Sequence, residues 1–316
     1  MGTAPSSGAV RAGGISVRLG TYRSEGGPRV VRAVDEGFLD VGSALSSDAP
    51  WTTDLRLLLA GGPELLGRVA TAAPGVGARV YEPDLARLGP PIGRPGKIVC
   101  IGLNYRLHAL EGGHELPTAP EVFFRGPTTL VGPRDPVPMP SLSDRFDLEV
   151  ELCVVMGAAA RHVSRERALE HVAGYMVLND MSVRDFQHRG SQWGPGKNWD
   201  GSAPCGPLLV TSDEVGDPGL LDVSSDIDGS PMQSSNTSDL IFDVPTLVAD
   251  LSSFMTLEPG DLIATGTPSG VGESRKPPRF LRVGERVRCT VAGLGSLENR
   301  VVTEADWLAG RGAPSA

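Results

Sequence analysis

Residues 146–157, Phe-Asp-Leu-Glu-Val-Glu-Leu-Cys-Val-Val-Met-Gly, constrain the fold of this chain more than any other stretch. Acids and aliphatics alternate with period two, the pattern of a strand whose two faces differ. Asp147, Glu149 and Glu151 share one face, while Leu148, Val150, Leu152 and Val154 share the other. Glutamates two positions apart on a strand lie about 7 Å from one another, because each residue rises about 3.3 Å. Both can reach one cation, and they repel if none is there. The alternation alone admits two readings: an exposed strand with an acidic face in solvent, or paired carboxylates around a cation.

The 316 residues, 40% hydrophobic, can bury a substantial core and suit one large domain with a smaller one. Forty-one Gly and 27 Pro, spread without a period, point to a turn-rich, largely β protein. A net charge of −9 argues against non-specific nucleic-acid binding, so an acidic substrate would need positive charge gathered locally in its site. Lys97, Lys197 and Lys276 are the only lysines in a chain that otherwise uses arginine, which marks each of them for inspection. The cysteines (Cys100, Cys153, Cys205, Cys289) form no CxxC pair and read as reduced core thiols of a cytoplasmic protein. No apolar run approaches the ~18 residues of a membrane span, and the N-terminus has no signal-peptide core, so no membrane partner is expected.

Composition shifts divide the chain into a small N-terminal α+β domain (1–90) with a mobile N-terminal tail, a catalytic domain (91–308) and a mobile tail (309–316). Breaker-rich residues 86–97 form the linker. Strands are expected at 15–19 and 29–34, and a helix around 63–73. The second domain reads mostly as strands, with helices expected at 164–172 and 244–255. The latter has Pro245 in its first turn and an apolar stripe at Val244, Leu247, Val248, Leu251 and Phe254. With no regular βαβ alternation, the class is α+β and β-rich.

Asp180 stands at the end of the apolar run that begins at Gly174, where a strand would deliver a carboxylate to a rim. Three carboxylates with no nearby Cys or His make an all-oxygen ligand set, suited to Mg²⁺, Mn²⁺ or Ca²⁺ and poor for zinc. Taken alone, Asn179-Asp180 is more often a turn or cap. Lys197 sits among glycines, either approaching a substrate carboxylate or enolate or solvated in an ordinary loop. Residues 261–272 run from a strand into a glycine-rich turn without the Gly-Lys-Ser/Thr of a P-loop, which rejects nucleotide binding. Backbone N–H groups there and the Thr267 hydroxyl could hold a carboxylate. His108 and Glu111, at i and i+3 of a short helical turn, form either a surface pair or a general base with its orienting carboxylate.

In this order the pieces resemble the fumarylacetoacetate hydrolase family over residues 97–303. The likeness rests on Gly102-Leu103-Asn104-Tyr105, Asp147-Leu148-Glu149-Val150-Glu151-Leu152, Asn179-Asp180, Arg184-Asp185-Phe186-Gln187, Gly196-Lys197, Ser235-Asn236-Thr237-Ser238 and the run from Thr265 to Gly272. The resemblance implies a mixed β-sandwich roll with a small N-terminal domain, usually as a homodimer. It implies a divalent metal, commonly Mg²⁺, on Glu149, Glu151 and Asp180. Lys197, Thr267, Arg184 and Gln187 are placed against a small keto-acid substrate, with Tyr105 of the first motif among the binding residues. His108 and Glu111 lie on a lid and, with Lys197, form the catalytic set.

The expected reaction is metal-dependent hydrolysis of a C–C bond in an acylpyruvate-like 2,4-diketo acid. Oxaloacetate-type decarboxylation or keto–enol isomerisation or hydration on the same metal site are the alternatives. A non-catalytic binding protein would have lost a ligand or the lid pair, and neither is lost. Three departures from the family pattern stand out: Arg125 in place of lysine, Leu107 in place of aspartate before the lid histidine, and Pro195 with Gly201-Ser202 around the lysine loop.

Overall fold

Val150–Met156 is buried at every position. It pairs antiparallel with Val172–Asn179 on one edge and with Leu262–Ala264 on the other. Alternation along such a strand separates two covered layers instead of core from solvent. Leu152, Val154 and Met156 enter one apolar cluster, and Cys153 and Val155 enter another.

The computed structural model describes residues 16–113 and 115–311, so the expected N-terminal tail (1–12) and residues 312–316 of the C-terminal one lie outside the described residues. The main sheet runs, edge to edge, through Val80–Tyr81, Gly37–Asp40, Gly27–Val34, Arg18–Ser24, Ala203–Thr211, Val172–Asn179, Val150–Met156, Leu262–Ala264, Ile98–Gly102 and Glu121–Arg125. Leu262–Ala264 and Ile98–Gly102 are parallel, so the sheet is mixed. A second sheet orders Ser230–Asn236, Asp222–Ile227, Arg286–Val291, Gly295–Thr303 and Val137–Met139. Val223, Ile227, Val287, Val291 and Leu297 of that sheet meet Leu152, Val154, Tyr175 and Val177 of the first, which makes a sheet-on-sheet core.

The helix Val244–Phe254 starts where Pro245 and the Asp243 carboxylate, which accepts from the Thr246 N–H, favour it. Its buried stripe is Val244, Leu247, Val248 and Leu251; Phe254, expected to continue it, is exposed. The segment expected as a helix at 164–172 is a 3-10 helix, Arg165–His171, with Ala168 its one buried residue. Without an apolar stripe nothing holds a 3.6-residue period, and the tighter turn feeds straight into the strand at Val172.

The N-terminal strands extend the main sheet, since Arg18 pairs with Val210. The helices Leu55–Ala60 and Gly62–Thr71 bring Leu55, Leu58, Leu59 and Val69 into the cluster that holds Ile98, Cys100, Val155, Met176 and Leu209. Residues 16–90 thus share sheet and core with the rest. At the other end, helix Glu304–Arg311 carries regular structure past the boundary expected at 309. The four cysteines are buried and unpaired.

Candidate active site

The expected continuous strand at 146–157 is interrupted. Phe146–Asp147 pairs with Ser182–Val183, and the long ladder resumes only at Val150. In the gap, backbone N–H groups find side-chain acceptors: Leu148 donates to Asp147 Oδ1 (2.9 Å), Glu149 to Asn179 Oδ1 (2.9 Å) and Val150 to Gln233 Oε1 (3.0 Å). Register then sets the chemistry. Val150 lies opposite Asn179, and the Asp180 N–H donates to the Glu149 carbonyl (2.8 Å), so Glu149 and Asp180 emerge side by side. Glu149, Glu151 and Asp180 each offer a carboxylate oxygen within 4.8 Å of the other two, and all three are buried. The solvated acidic face is excluded.

Three cations answer these charges. Lys197 Nζ donates to Glu149 Oε2 (2.7 Å), Asp180 Oδ2 (2.5 Å) and the Asp180 carbonyl (3.1 Å). It is 2% exposed, so it is no solvated loop lysine, and the loop expected there is a helical turn, Gly194–Lys197. Gly196 makes this possible: a Cβ there would fall 2.5–2.6 Å from the Gln187 backbone and Cβ. Arg125, the departure from lysine, donates to Asp180 Oδ1, to the Met181 carbonyl and to Ser202 Oγ (2.9 Å). Its planar fork joins three acceptors that an ammonium could not hold in the same geometry. Arg184 bridges Asp147 Oδ2 (2.8 Å), Glu149 Oε1 (2.6 Å) and Gln187 Oε1 (2.9 Å). Asp147, left without a role by the sequence, orients Arg184 and accepts the N–H groups of Gly272 (2.8 Å) and Glu273 (3.0 Å), pinning the glycine-rich turn.

The electrostatics single out Glu151. Burial opposes ionisation of Glu149, but Lys197 and Arg184 hold its carboxyl well below the usual range. Burial, with Asp180 and Glu149 alongside, pushes Glu151 well above it. Its oxygen Oε2 accepts only a backbone N–H, from Gly266 (2.8 Å), and no cationic side chain pairs with it among the described residues. A buried carboxylate lacking a counter-charge is costly unless it is neutralised. A hard divalent cation held by Glu149, Glu151 and Asp180 fits this donor set, which contains no sulfur or imidazole.

The sequence-predicted residues converge unevenly. A cleft of about 220 Å³ is lined by the three carboxylates, Arg184, Gln187, Lys197, Thr267 and His108, with Ile101, Leu103, Phe123, Trp193 and Val271 as apolar walls. His108 and Glu111 lie on the helix Arg106–Glu111 with Nδ1 and Oε2 3.3 Å apart. Glu111 also accepts the Gly270 N–H (3.1 Å), which ties this helix to the glycine-rich turn, and the hydrogen bond to His108 lowers its carboxyl pKa. Thr267 is at the wall, but its hydroxyl donates to the Val150 carbonyl (3.0 Å) and accepts from Gln233 Nε2 (2.7 Å). Tyr105 does not line the cleft: it is fully buried, with its hydroxyl unpartnered.

Sequence reasoning missed Gln233, His188 and Glu273. Gln233 holds Val150 and Thr267 from the second sheet, and no local spacing signals that role. His188 and Glu273, 85 residues apart, pair at 3.1 Å on the cleft rim.

With fold and site in view, the comparisons agree. Residues 97–302 match the sequence profile of the fumarylacetoacetate (FAA) hydrolase C-terminal domain, and the chain belongs to this family. An inferred hydrolase of Burkholderia lata is 46% identical over 250 residues, which cover 76% of this chain and 89% of that protein. Maleylpyruvate hydrolase from Sphingobium sp. SYK-6, solved with manganese(II) and pyruvate, superposes with a TM-score of 0.74 at 31% identity, covering 90% of this chain and 99% of that one. A 2-hydroxyhepta-2,4-diene-1,7-dioate isomerase from Mycobacterium marinum gives a TM-score of 0.68 at 30% identity, with 92% and 99% covered. The β-rich α+β class expected from the sequence is the fold of these relatives. No helix among the described residues is long and apolar enough to cross a membrane.

Proposed function

We infer that this protein is a divalent-metal-dependent hydrolase that cleaves a C–C bond in an acylpyruvate-like 2,4-diketo acid. One observation carries the reading: three buried carboxylates within ligand distance of one another share a cleft with His108, whose ring is paired with Glu111. The fold relative that binds manganese and pyruvate supports a 2-oxo acid as the group held there.

When bound by Glu149, Glu151 and Asp180, a Mg²⁺ or Mn²⁺ ion would supply Lewis-acid stabilisation of the charge that develops on the 2-oxo acid. The chain's own groups do the rest. Lys197, Arg184 and Gln187 face the cleft floor with donors for the substrate carboxylate and oxo groups. Glu111, fixed by the Gly270 N–H, orients His108. His108 takes a proton from water as the water oxygen adds to C4. The C3–C4 bond then breaks, its electron pair stays on C3, and a proton returns to C3. Products are a carboxylate and pyruvate, with one proton released. The apolar walls limit competing water around the acyl group.

Isomerisation on the same site is the second reading, because an isomerase shares the fold. Incubation with acetylpyruvate and Mn²⁺ separates the two: acetate and pyruvate are expected, and unchanged mass with a shifted double bond would favour isomerisation. EDTA should abolish turnover; full activity in EDTA overturns the metal-dependent reading.

A further inference from the structure

The cleft grades from a buried floor to an open rim. Lys197 and Asp180 at the floor are 2% and 1% exposed, whereas Glu273 and His188 at the rim are 34% and 60% exposed. Among the described residues that line it, the cationic or imidazole groups are Arg184, Lys197, His108 and His188. Each already faces a carboxylate of the protein: Arg184 meets Asp147, Glu149 and, at 3.6 Å, Glu273; Lys197 meets Glu149 and Asp180; His108 meets Glu111; His188 meets Glu273. At the floor, a bound divalent ion would compete for Glu149 and Asp180 and leave ammonium and guanidinium donors to a substrate carboxylate. At the rim Glu273 lies outside the carboxylate cluster, so no ion draws it away from His188, and it shares Arg184 with Asp147 and Glu149.

We propose that Glu273 is a specificity-determining residue: it selects 2-oxo acids whose far end is uncharged and rejects those ending in a second carboxylate. The inference rests on the 2-oxo acid reading above and names the acyl group that reading leaves open. A substrate whose 2-oxo acid end is held at the floor would have the rest of the cleft, lined by Phe123, Trp193, Val271 and Glu273, for its other end. An alkyl tail buries apolar surface there, which is favourable in proportion to its area. A carboxylate tail meets the Glu273 charge in a half-buried setting and finds His188 already paired, and like charges at such separations repel.

The test compares two acids of equal length, 2-oxopentanoate and 2-oxopentanedioate, by titration calorimetry on the full chain with Mn²⁺. Wild type should bind the monocarboxylate about tenfold more tightly, equivalent to ~1.4 kcal/mol. In Glu273→Gln the ratio should approach one, mainly through tighter dicarboxylate binding, and Glu273→Asp should restore the preference. A purely structural role for Glu273 would weaken both acids alike and leave the ratio unchanged. Equal or tighter dicarboxylate binding by wild type, or an unchanged ratio in Glu273→Gln, overturns the proposal. Mn²⁺ binding with neither acid bound would instead remove the 2-oxo acid reading, and the selectivity with it.

Discussion

At the scale of single residues, the site is a charge balance struck in a buried place. Asp147, Glu149, Glu151 and Asp180 are opposed by Arg125, Arg184 and Lys197, and the unmatched charge falls at Glu151. Removing one member of a buried pair leaves the other without compensation, at a cost of about 3–5 kcal/mol. His108, at the cleft wall and outside this network, should be separable from it. His108→Ala is expected to lower kcat by about 10²–10⁴-fold, the usual contribution of a positioned base, with Mn²⁺ affinity unchanged. Glu149→Gln should lose Mn²⁺ affinity and turnover together. Calorimetric Mn²⁺ titration beside steady-state kinetics reads both, and equal loss of affinity in the two variants would refute the division of roles.

At the scale of elements, the site depends on close backbone approach. The short helix holding Arg184 and Gln187 packs on the turn holding Lys197 only because residue 196 has no side chain. Gly196→Ala should therefore push Lys197 off Glu149 and Asp180, lowering kcat at least tenfold while stability falls by about 1–3 kcal/mol, the cost of overpacking. Circular dichroism melting and kinetics together distinguish this from global unfolding. The glycine-rich turn is likewise held by its partners: Asp147 grips Gly272 and Glu273, and Glu111 grips Gly270. Much of this was legible locally. Val244–Phe254 announced itself by proline and stripe, whereas Arg165–His171 had helix-forming residues but no apolar face to decide its period. Gln233 was illegible because its role depends on a strand of the other sheet reaching Val150 and Thr267.

At the scale of the molecule, residues 16–90 extend the main sheet and cover one of its faces. Leu19 and Val30 on its strands and Leu55, Leu58 and Leu59 on the helix beside it are buried in one cluster, and full burial of each such side chain contributes about 1.5–3 kcal/mol. A chain of residues 91–316 would expose the edge of Ala203–Thr211 and that apolar face. It is expected to aggregate or unfold, as size-exclusion chromatography and circular dichroism would show. A monodisperse, folded 91–316 chain would show instead that residues 91–316 fold without the N-terminal strands and helices.

The sequence alone determined which acids share a strand face, the pairing of His108 with Glu111 and the β-rich class, because period-two alternation and i, i+3 spacing are local and survive any tertiary arrangement; the reading of Glu149, Glu151 and Asp180 as a ligand set came from the family resemblance. It could not determine what covers the acidic face of the central strand. The tertiary structure decided that the face is buried, that Arg184 and Lys197 neutralise two of its acids, Asp147 and Glu149, and that Arg125 and Lys197 pair with the neighbouring Asp180. It also buried Tyr105 away from the cleft lining and set Glu273 at the rim. Spacing tells which side a carboxylate occupies. Only the partners brought to that side by distant segments fix its charge state, its reach and the ligand it can take.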